Sequence, residues 1–302
     1  MRHGLLLVDK EPGCTSHDVV QQARRLVRQK KIGHCGTLDP AATGLLVLTL
    51  GKATRLTRFL INAPKVYSGT IRFGIATDTY DAAGEVVSEN PTHSLTQEVV
   101  EATMAGIVGE LDQAAPPFSA KKIKGVKYYE LARRGEPVPE SRKRISIFDF
   151  APTGDLEEDR IGFRLSCSSG TYVRSLAHDL GRQLGPGAHL ESLRRLQVGP
   201  FDISESVQIE DLAHQLEGGD EIAAGWVPFD SIPLPFFQLL ADAQQERRLV
   251  NGQTVLVRET ACEEGDWIKI VNQRQQLIAV GSVIERIGQG AVGVIRPRIV
   301  FR

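Results

Sequence analysis

Gly33-His34-Cys35-Gly36-Thr37-Leu38-Asp39-Pro40-Ala41-Ala42-Thr43-Gly44-Leu45-Leu46 is the stretch from which the rest of this 302-residue chain can be read. With three glycines it is too flexible for a regular element; glycine serves where backbone turns tightly or lets a ligand approach. The ring of Pro40 pushes Asp39 out of the helical region towards an extended conformation. Two readings stand side by side. Asp39 caps a short helix that has Pro40 at its first position and ends at Gly44. Or a carboxylate on a sharply shaped loop, with the His34 imidazole a few residues before it, is a reactive centre.

Outward from this loop the pattern alternates between apolar runs and periodic segments. Residues 4–9 form an apolar run suited to a buried strand. Residues 16–28 read as an amphipathic helix capped by Thr15 or Ser16, with Val19, Val20, Ala23, Leu26 and Val27 at helical spacing. From 66 to 73 the period becomes two, with Tyr67, Ile71 and Phe73 sharing a face with Gly69. Tyr67 then either covers a pocket floor near a strand end or is an ordinary core tyrosine. Residues 96–108 are a further helix candidate, and 161–168 alternate again. Ser169-Gly170 turns the chain, and Thr171 can cap a helix striped by Val173, Leu176, Ala177, Leu180 and Leu184. Arg174 falls in its first turn, where the helix dipole opposes a cation. It needs an anionic partner, a carboxylate or a phosphate, unless it simply reaches solvent.

The formal net charge is −1, yet the charge is segregated. Residues 1–60 hold ten Lys/Arg against four Asp/Glu and residues 118–146 nine against three, whereas 196–246 hold none against ten. Such segregation allows a basic face for phosphates, or merely a solvated surface. Pro116 to Gly125 reads as an exposed basic loop leading into Tyr128-Tyr129, a mixture suited to phosphate contact and base stacking. The four cysteines are scattered and the seven histidines lack ligand spacing, so neither a disulfide framework nor a metal site is expected. No apolar run has the length of a membrane span, and the N-terminus lacks a signal-peptide pattern, so a cytoplasmic protein without membrane attachment is expected. Residues 228–235, rich in proline, read as a linker. Short β patterns beyond it suggest a small barrel.

The whole string Gly33-His34-x-Gly36-Thr37-Leu38-Asp39-Pro40-x-Ala42-Thr43-Gly44-Leu45-Leu46 resembles the signature of the TruB-type tRNA pseudouridine synthases. Gly4-Leu5-Leu6-Leu7-Val8-Asp9-Lys10-x-Pro12-Gly13-x-x-Ser16 resembles that family's opening motif. Lys65-x-Tyr67 resembles the segment carrying its active-site tyrosine, and Ser169-Gly170-Thr171-Tyr172-Val173-Arg174-Ser175-Leu176 the one carrying its arginine. These motifs stand in the family's order across roughly residues 4–200. The resemblance implies an α+β protein with the pseudouridine synthase fold, a mixed, largely antiparallel sheet flanked by helices and loops. It implies a catalytic domain over 1–230, an RNA-clasping insertion at about 116–145 that is mobile and closes over the RNA, and a β-rich PUA-like RNA-binding domain over 236–302.

It also implies the chemistry. Uridine 55 in the T-loop of tRNA would be flipped out and its N1–C1′ bond broken, and the uracil would be turned and rejoined through C5. Asp39 would act at the sugar–base junction by attack on base or sugar, or by removing a ribose proton; each route needs the carboxylate, which Arg174 would hold by charge pairing. Tyr67 would stack on the uracil and accept the C5 proton, directly or through water. His34 would occupy space left by the extruded base, and Leu196 would line the uracil pocket. Arg55 stands where the family often has lysine, and a planar fork is not a point charge. Lys10, Lys122 and Tyr172 complete the expected substrate contacts. Cys35 fills a variable slot, inert or open to alkylation. The expected partner is the tRNA T-arm stem-loop, met by a monomer without cofactor, metal or guide RNA. The rival readings are a tRNA-binding or tRNA-folding protein that has lost catalysis, and the catalytic subunit of a guide-RNA-dependent pseudouridylase.

Overall fold

Apolar runs without alternation, Leu5-Leu6-Leu7-Val8 and Leu45-Leu46-Val47-Leu48, need cover on both faces of a sheet, and the fold supplies it. The computed structural model describes the chain apart from residues 117, 119–121, 124–125, 128–140, 218–221, 223, 259–260, 289–291 and 302, and describes only the backbone of 122–123 and 126–127. In chain order the first strands are β1 (Gly4–Lys10), β2 (Ile32–His34), β3 (Thr43–Leu50), β4 (Lys65–Phe73), β5 (Ile75–Thr77), β6 (Val86–Glu89) and β7 (Gly109–Ala114). They are followed by the short pair β8 (Lys122–Ile123) and β9 (Val126–Lys127), then β10 (Arg142–Pro152), β11 (Arg160–Cys167), β12 (Ala188–Val198), β13 (Phe201–Asp202) and β14 (Trp226–Pro228). The helices are α1 (Ser16–Leu26), α2 (Thr57–Leu60), α3 (Gln97–Gly106), α4 (Val173–Leu184), α5 (Ile209–Glu217) and α6 (Ala243–Val250).

Ten strands join in one sheet along the order β14-β1-β3-β12-β4-β11-β10-β7, with β2 on β3 and β13 on β12. Every pairing is antiparallel except the brief one between β3 and β12. Leu6, Val8, Leu46, Leu48 and Leu50 face α1 and α5, packing on Val19, Val20, Ala23 and Leu212. Leu5, Leu7, Leu45 and Val47 face the other way. At the far half of the sheet, Ile71, Phe73, Phe163 and Leu165 pack with Met104 of α3 and with Leu176, Ala177 and Leu180 of α4. Here the apolar residues alternate because only one face is covered.

Beyond β14, strands β15 (Phe237–Leu240), β16 (Val255–Arg258), β17 (Trp267–Val271), β18 (Leu277–Ile287) and β19 (Val292–Val300) form a second sheet in the order β15-β17-β18-β19-β16. Among the described residues it is an open five-stranded sheet with β15 and β16 at its edges, not the expected barrel. Nor is 228–235 a free linker. Phe229 and Ile232 are buried with Leu5 and Leu7, Phe229 meets Phe301 edge to face at 4.9 Å, and Asp230 accepts the Leu277 N–H at 2.8 Å. Leu277, Val280, Ile299 and Phe301 complete that core, so the second sheet covers the back of β1 and β3. No described helix is long and apolar enough to cross a membrane.

Candidate active site

No helix follows Asp39. Residues 39–42 make a tight turn closed by the Ala42 N–H on the Asp39 carbonyl at 3.1 Å, and β3 begins at Thr43. The capping reading therefore falls, and Gly44 meets a different need. Its φ is +102°, and a Cβ there would lie 2.3 Å from the Arg195 carbonyl oxygen. Only glycine lets β3 come this close to β12 where the two run parallel, Gly44 beside Arg195.

The loop is held by its backbone. The Ser16 hydroxyl accepts the Leu38 N–H at 2.8 Å and donates to the Leu38 carbonyl at 3.1 Å. Ser16 is thus free of capping duty, which Thr15 performs with Asp18 in a reciprocal box. The Pro40 carbonyl accepts the Gly13 N–H at 2.9 Å and the Lys10 Nζ at 3.2 Å. Lys10, expected to meet substrate, is instead buried and donates also to the carbonyls of Glu11 and Cys14 at 2.9 and 2.8 Å. From β12, Arg195 is 1% exposed and reaches the carbonyls of Leu45, Gly36 and Thr37 at 2.7, 3.1 and 3.5 Å.

Against this fixed loop stands Arg174, the second residue of α4. Its Nε is 2.9 Å from Asp39 Oδ2 and its Nη2 donates to Asp39 Oδ1 at 3.3 Å, a forked pair. Nη1 lies 3.3 Å from Asp81 Oδ2 and donates to the Thr79 carbonyl at 3.1 Å, while Nη2 also reaches the Phe118 carbonyl. Arg174 is 8% exposed at its side chain and Asp39 43%, so the cation is walled in while the carboxylate looks outward. Asp81 is itself fixed, its Oδ1 accepting the Thr79 hydroxyl at 2.6 Å and the Ala83 N–H at 3.1 Å. The sequence reading missed Asp81, although the polar run Thr77-Asp78-Thr79-Tyr80-Asp81 was a signal of a built turn. The start of α4 also differs from expectation: Tyr172 holds the capping position with no side-chain cap, and Thr171 donates to Ser168 instead.

Asp39 and Arg174 open onto a cavity of about 320 Å³, at the small end of the roughly 300–1,000 Å³ typical of ligand pockets. Tyr67, Lys65, Leu193, Arg195 and Tyr172 contribute to its lining. Tyr67 is opposite Arg195, and Gly69 opposite Leu193, so these side chains share a face of the sheet. The bulge between Arg195 and Gln197 takes Leu196 out of that alternation. Leu193, not Leu196, lines the cavity. Burial pushes the Tyr67 phenol upward, so the ring presents a neutral hydroxyl.

The family model described as "TruB family pseudouridylate synthase (N terminal domain)" matches residues 24–173, and that of "tRNA pseudouridylate synthase B C-terminal domain" matches 174–229. A protein named tRNA pseudouridine synthase B from Ralstonia pickettii is 41% identical over 301 residues, spanning 98% of this chain and 93% of its own. One of the same name from Solibacter usitatus is 38% identical over 282 residues, spanning 93% and 96%. This chain belongs to the TruB family of pseudouridylate synthases. Its fold also matches the archaeal box H/ACA sRNP Nop10–Cbf5 complex, with a TM-score of 0.75, 23% identity and coverage of 100% of this chain and 86% of that one. An H/ACA RNP bound to a substrate RNA gives 0.77 at 23% identity, covering 99% and 85%.

His34 and Arg55, also singled out for a TruB-type site, are not among the described residues that line the cavity. His34 ends β2 partly buried, near enough to Arg195 to feel its charge; burial chiefly lowers its pKa and keeps the imidazole neutral. Arg55 packs over the Phe301 ring at 5.3 Å and donates to the Val300 carbonyl, tying the first sheet to the second. Lys122 lies on β8 with its side chain outside the described residues, as does the Tyr128-Tyr129 segment. Among the described residues no cluster of His, Cys, Asp or Glu could hold a metal ion.

The thiol in the TruB-type loop is closed to reagents. Cys35 is fully buried and burial pushes it to about 12; Cys167 reaches about 11 for the same reason. Reactivity needs the thiolate, so alkylation of the native protein near pH 8 is expected to label Cys14, the one cysteine not buried, and to spare Cys35 and activity. Peptide mass mapping checks this; a labelled Cys35 with the fold intact would contradict it.

Proposed function

We propose that this chain is a tRNA pseudouridine synthase that isomerises uridine 55 of the T-loop, as a single chain on the T-arm stem-loop without guide RNA or cofactor. The observation that carries the reading is the forked Asp39–Arg174 pair at the mouth of a cavity floored by Tyr67 and Leu193, in a chain of this family. Relatives bearing that activity in their names align over nearly the whole chain, which supports tRNA as the substrate.

In this reading the target base is flipped out of the folded loop, at a cost of a few kcal/mol, with His34 behind the opening. The uracil stacks on Tyr67, whose neutral phenol hydrogen-bonds and is a poor base. The C5 proton therefore goes to the Asp39 carboxylate instead of to Tyr67, as first expected. Arg174 holds that carboxylate against the sugar–base junction, and Asp81 holds Arg174. Residues 236–302 serve as a PUA-like module and 116–145 as the RNA clasp.

Protein purified alone and given a T-arm stem-loop transcript tritiated at uracil C5 is expected to release tritium from uridine 55 only. Tight binding without release, or release that requires an added guide RNA, would overturn the reading.

A further inference from the structure

The cavity holds more positive charge than its ion pair accounts for. Beneath Tyr67 lie two further buried cations, Lys65 and Arg195, which are 5% and 1% exposed. A Cβ at Gly36 would touch both, 3.5 Å from Arg195 Nη1 and 3.6 Å from Lys65 Cε, so they sit together under that turn. Neither meets a carboxylate among the described residues. Lys65 Nζ donates to the carbonyls of Ile61 and Ala63 at 2.7 and 2.6 Å, and Arg195 donates to carbonyls of the Asp39 loop and β3 and interacts with the Tyr67 hydroxyl. An ammonium has three donors, and no described acceptor takes the third. The groups facing Lys65 from the neighbouring elements are Arg195 of β12, Lys143 of β10 and the thiols of Cys167 and Cys35. Both thiols are held protonated by burial, so nothing there neutralises the pair. Carbonyl dipoles alone make this a poor bargain for stability, since uncompensated buried charge is costly. Such charge suits a site that receives an anion.

We infer that Lys65 is a further catalytic residue, whose free N–H, with Arg195 beside it, stabilises the negative charge on the uracil when its glycosidic bond breaks. The inference rests on the reading of this cavity as the uridine site. The N1–C1′ bond breaks with its electron pair left on the base, where it spreads from N1 to the O2 and O4 oxygens. Asp39 meets the deficit on the sugar, by bonding to C1′ or by taking a ribose proton. After the ring turns, C5 uses that pair to bond to C1′ as the Asp39–C1′ bond breaks or the ribose proton is handed back. The freed Asp39 carboxylate takes the C5 proton, which restores the ring. Nothing is oxidised or reduced. Fixed donors aimed at developing charge in a dry site are the largest single catalytic term in many enzymes.

Burial first, and the Arg195 charge second, bring the Lys65 ammonium down to about 8. Its charge is present below that pH and lost above it. The wild-type single-turnover rate is therefore expected to fall about tenfold per pH unit beyond pH 8, within a scan from about pH 6.5 to 9.5. Lys65→Arg, which keeps its charge, is expected to move that limb out of the scan. Lys65→Met is expected to lose roughly 100-fold in single-turnover rate at neutral pH with tRNA affinity within about threefold. On a stem-loop carrying 5-fluorouridine at the target, whose base leaves more readily as an anion, the loss is expected to shrink to about tenfold or less. It is read by nucleoside chromatography as disappearance of 5-fluorouridine, since C5 then has no proton to lose and the rejoined ring takes up water across N1 and C6. A level wild-type profile, an unmoved limb in Lys65→Arg, or an equal loss on both bases would overturn the inference, the first without any variant that must fold. Asp39→Asn on the same substrates separates the two claims: if it is inactive while Lys65→Met keeps the wild-type rate, only the role of Lys65 fails.

Discussion

Asp39→Asn is expected to yield a folded protein that binds tRNA as the wild type does and turns over at least about 10⁴-fold more slowly. The substitution keeps the shape of the side chain and removes the charge that every route to bond cleavage requires. The fold should hardly notice. The loop is secured through the backbone of Leu38 and Pro40 and the carbonyls of Gly36 and Leu45, none of which involves the carboxylate. Asp39 is 43% exposed, so its ion pair is screened and its loss costs about 1 kcal/mol or less. Tritium release, gel-shift affinity and thermal unfolding, measured on one preparation, check the claim. Turnover within tenfold of wild type would remove Asp39 from the chemistry.

Arg174→Ala is expected to damage both stability and rate. It strips the shared cation from Asp39 and Asp81 and removes the Arg174 donors from the carbonyls of Thr79 and Phe118. Removing one partner of a fully buried pair costs roughly 3–5 kcal/mol; the exposure of Asp39 lowers the expectation here to roughly 2–3 kcal/mol. The rate is expected to fall by about 10³-fold, because the carboxylate loses its aim as well as its counter-charge. Arg174→Lys separates the two effects. An ammonium restores charge but cannot fork to Asp39 while also holding Asp81, so stability should recover more than rate. Urea midpoints and single-turnover rates measure this; a full recovery of rate by lysine would show that charge alone matters.

Much of this was legible in the residues. β1 reads as a buried strand because its apolar run does not alternate, and β4 and β11 as one-sided strands because theirs do. Arg174 in a first helical turn called for an anion unless it reached solvent, and the structure sets two carboxylates beside it. What could not be read depends on register and on burial. The choice of Leu193 over Leu196 turns on which face of β12 meets the cavity, which is set by the pairing of Arg195 with Tyr67 and of Leu193 with Gly69 and not by any local pattern. Lys10 and Arg195 look like surface cations in a string of letters, yet their charged ends lie inside against backbone carbonyls. Asp81 gains its meaning only from a helix nearly a hundred residues later in the chain. The proline-rich stretch after β14 misled for a related reason: prolines suggested a linker, whereas Phe229 and Ile232 decide its place.

The back of β1 and β3 bears on how this protein can change over generations. Leu5, Leu7, Leu45 and Val47 are kept from water by Leu277, Val280, Ile299 and Phe301 of the second sheet. A recombination that exchanged residues 236–302 for a foreign module would bare this surface, at about 25 cal/mol for each Å² exposed. The two sheets are thus inherited as a pair. Change is more accessible at the exposed positions of the second sheet, such as Phe237, Leu240 and Leu256, than through exchange of the sheet itself.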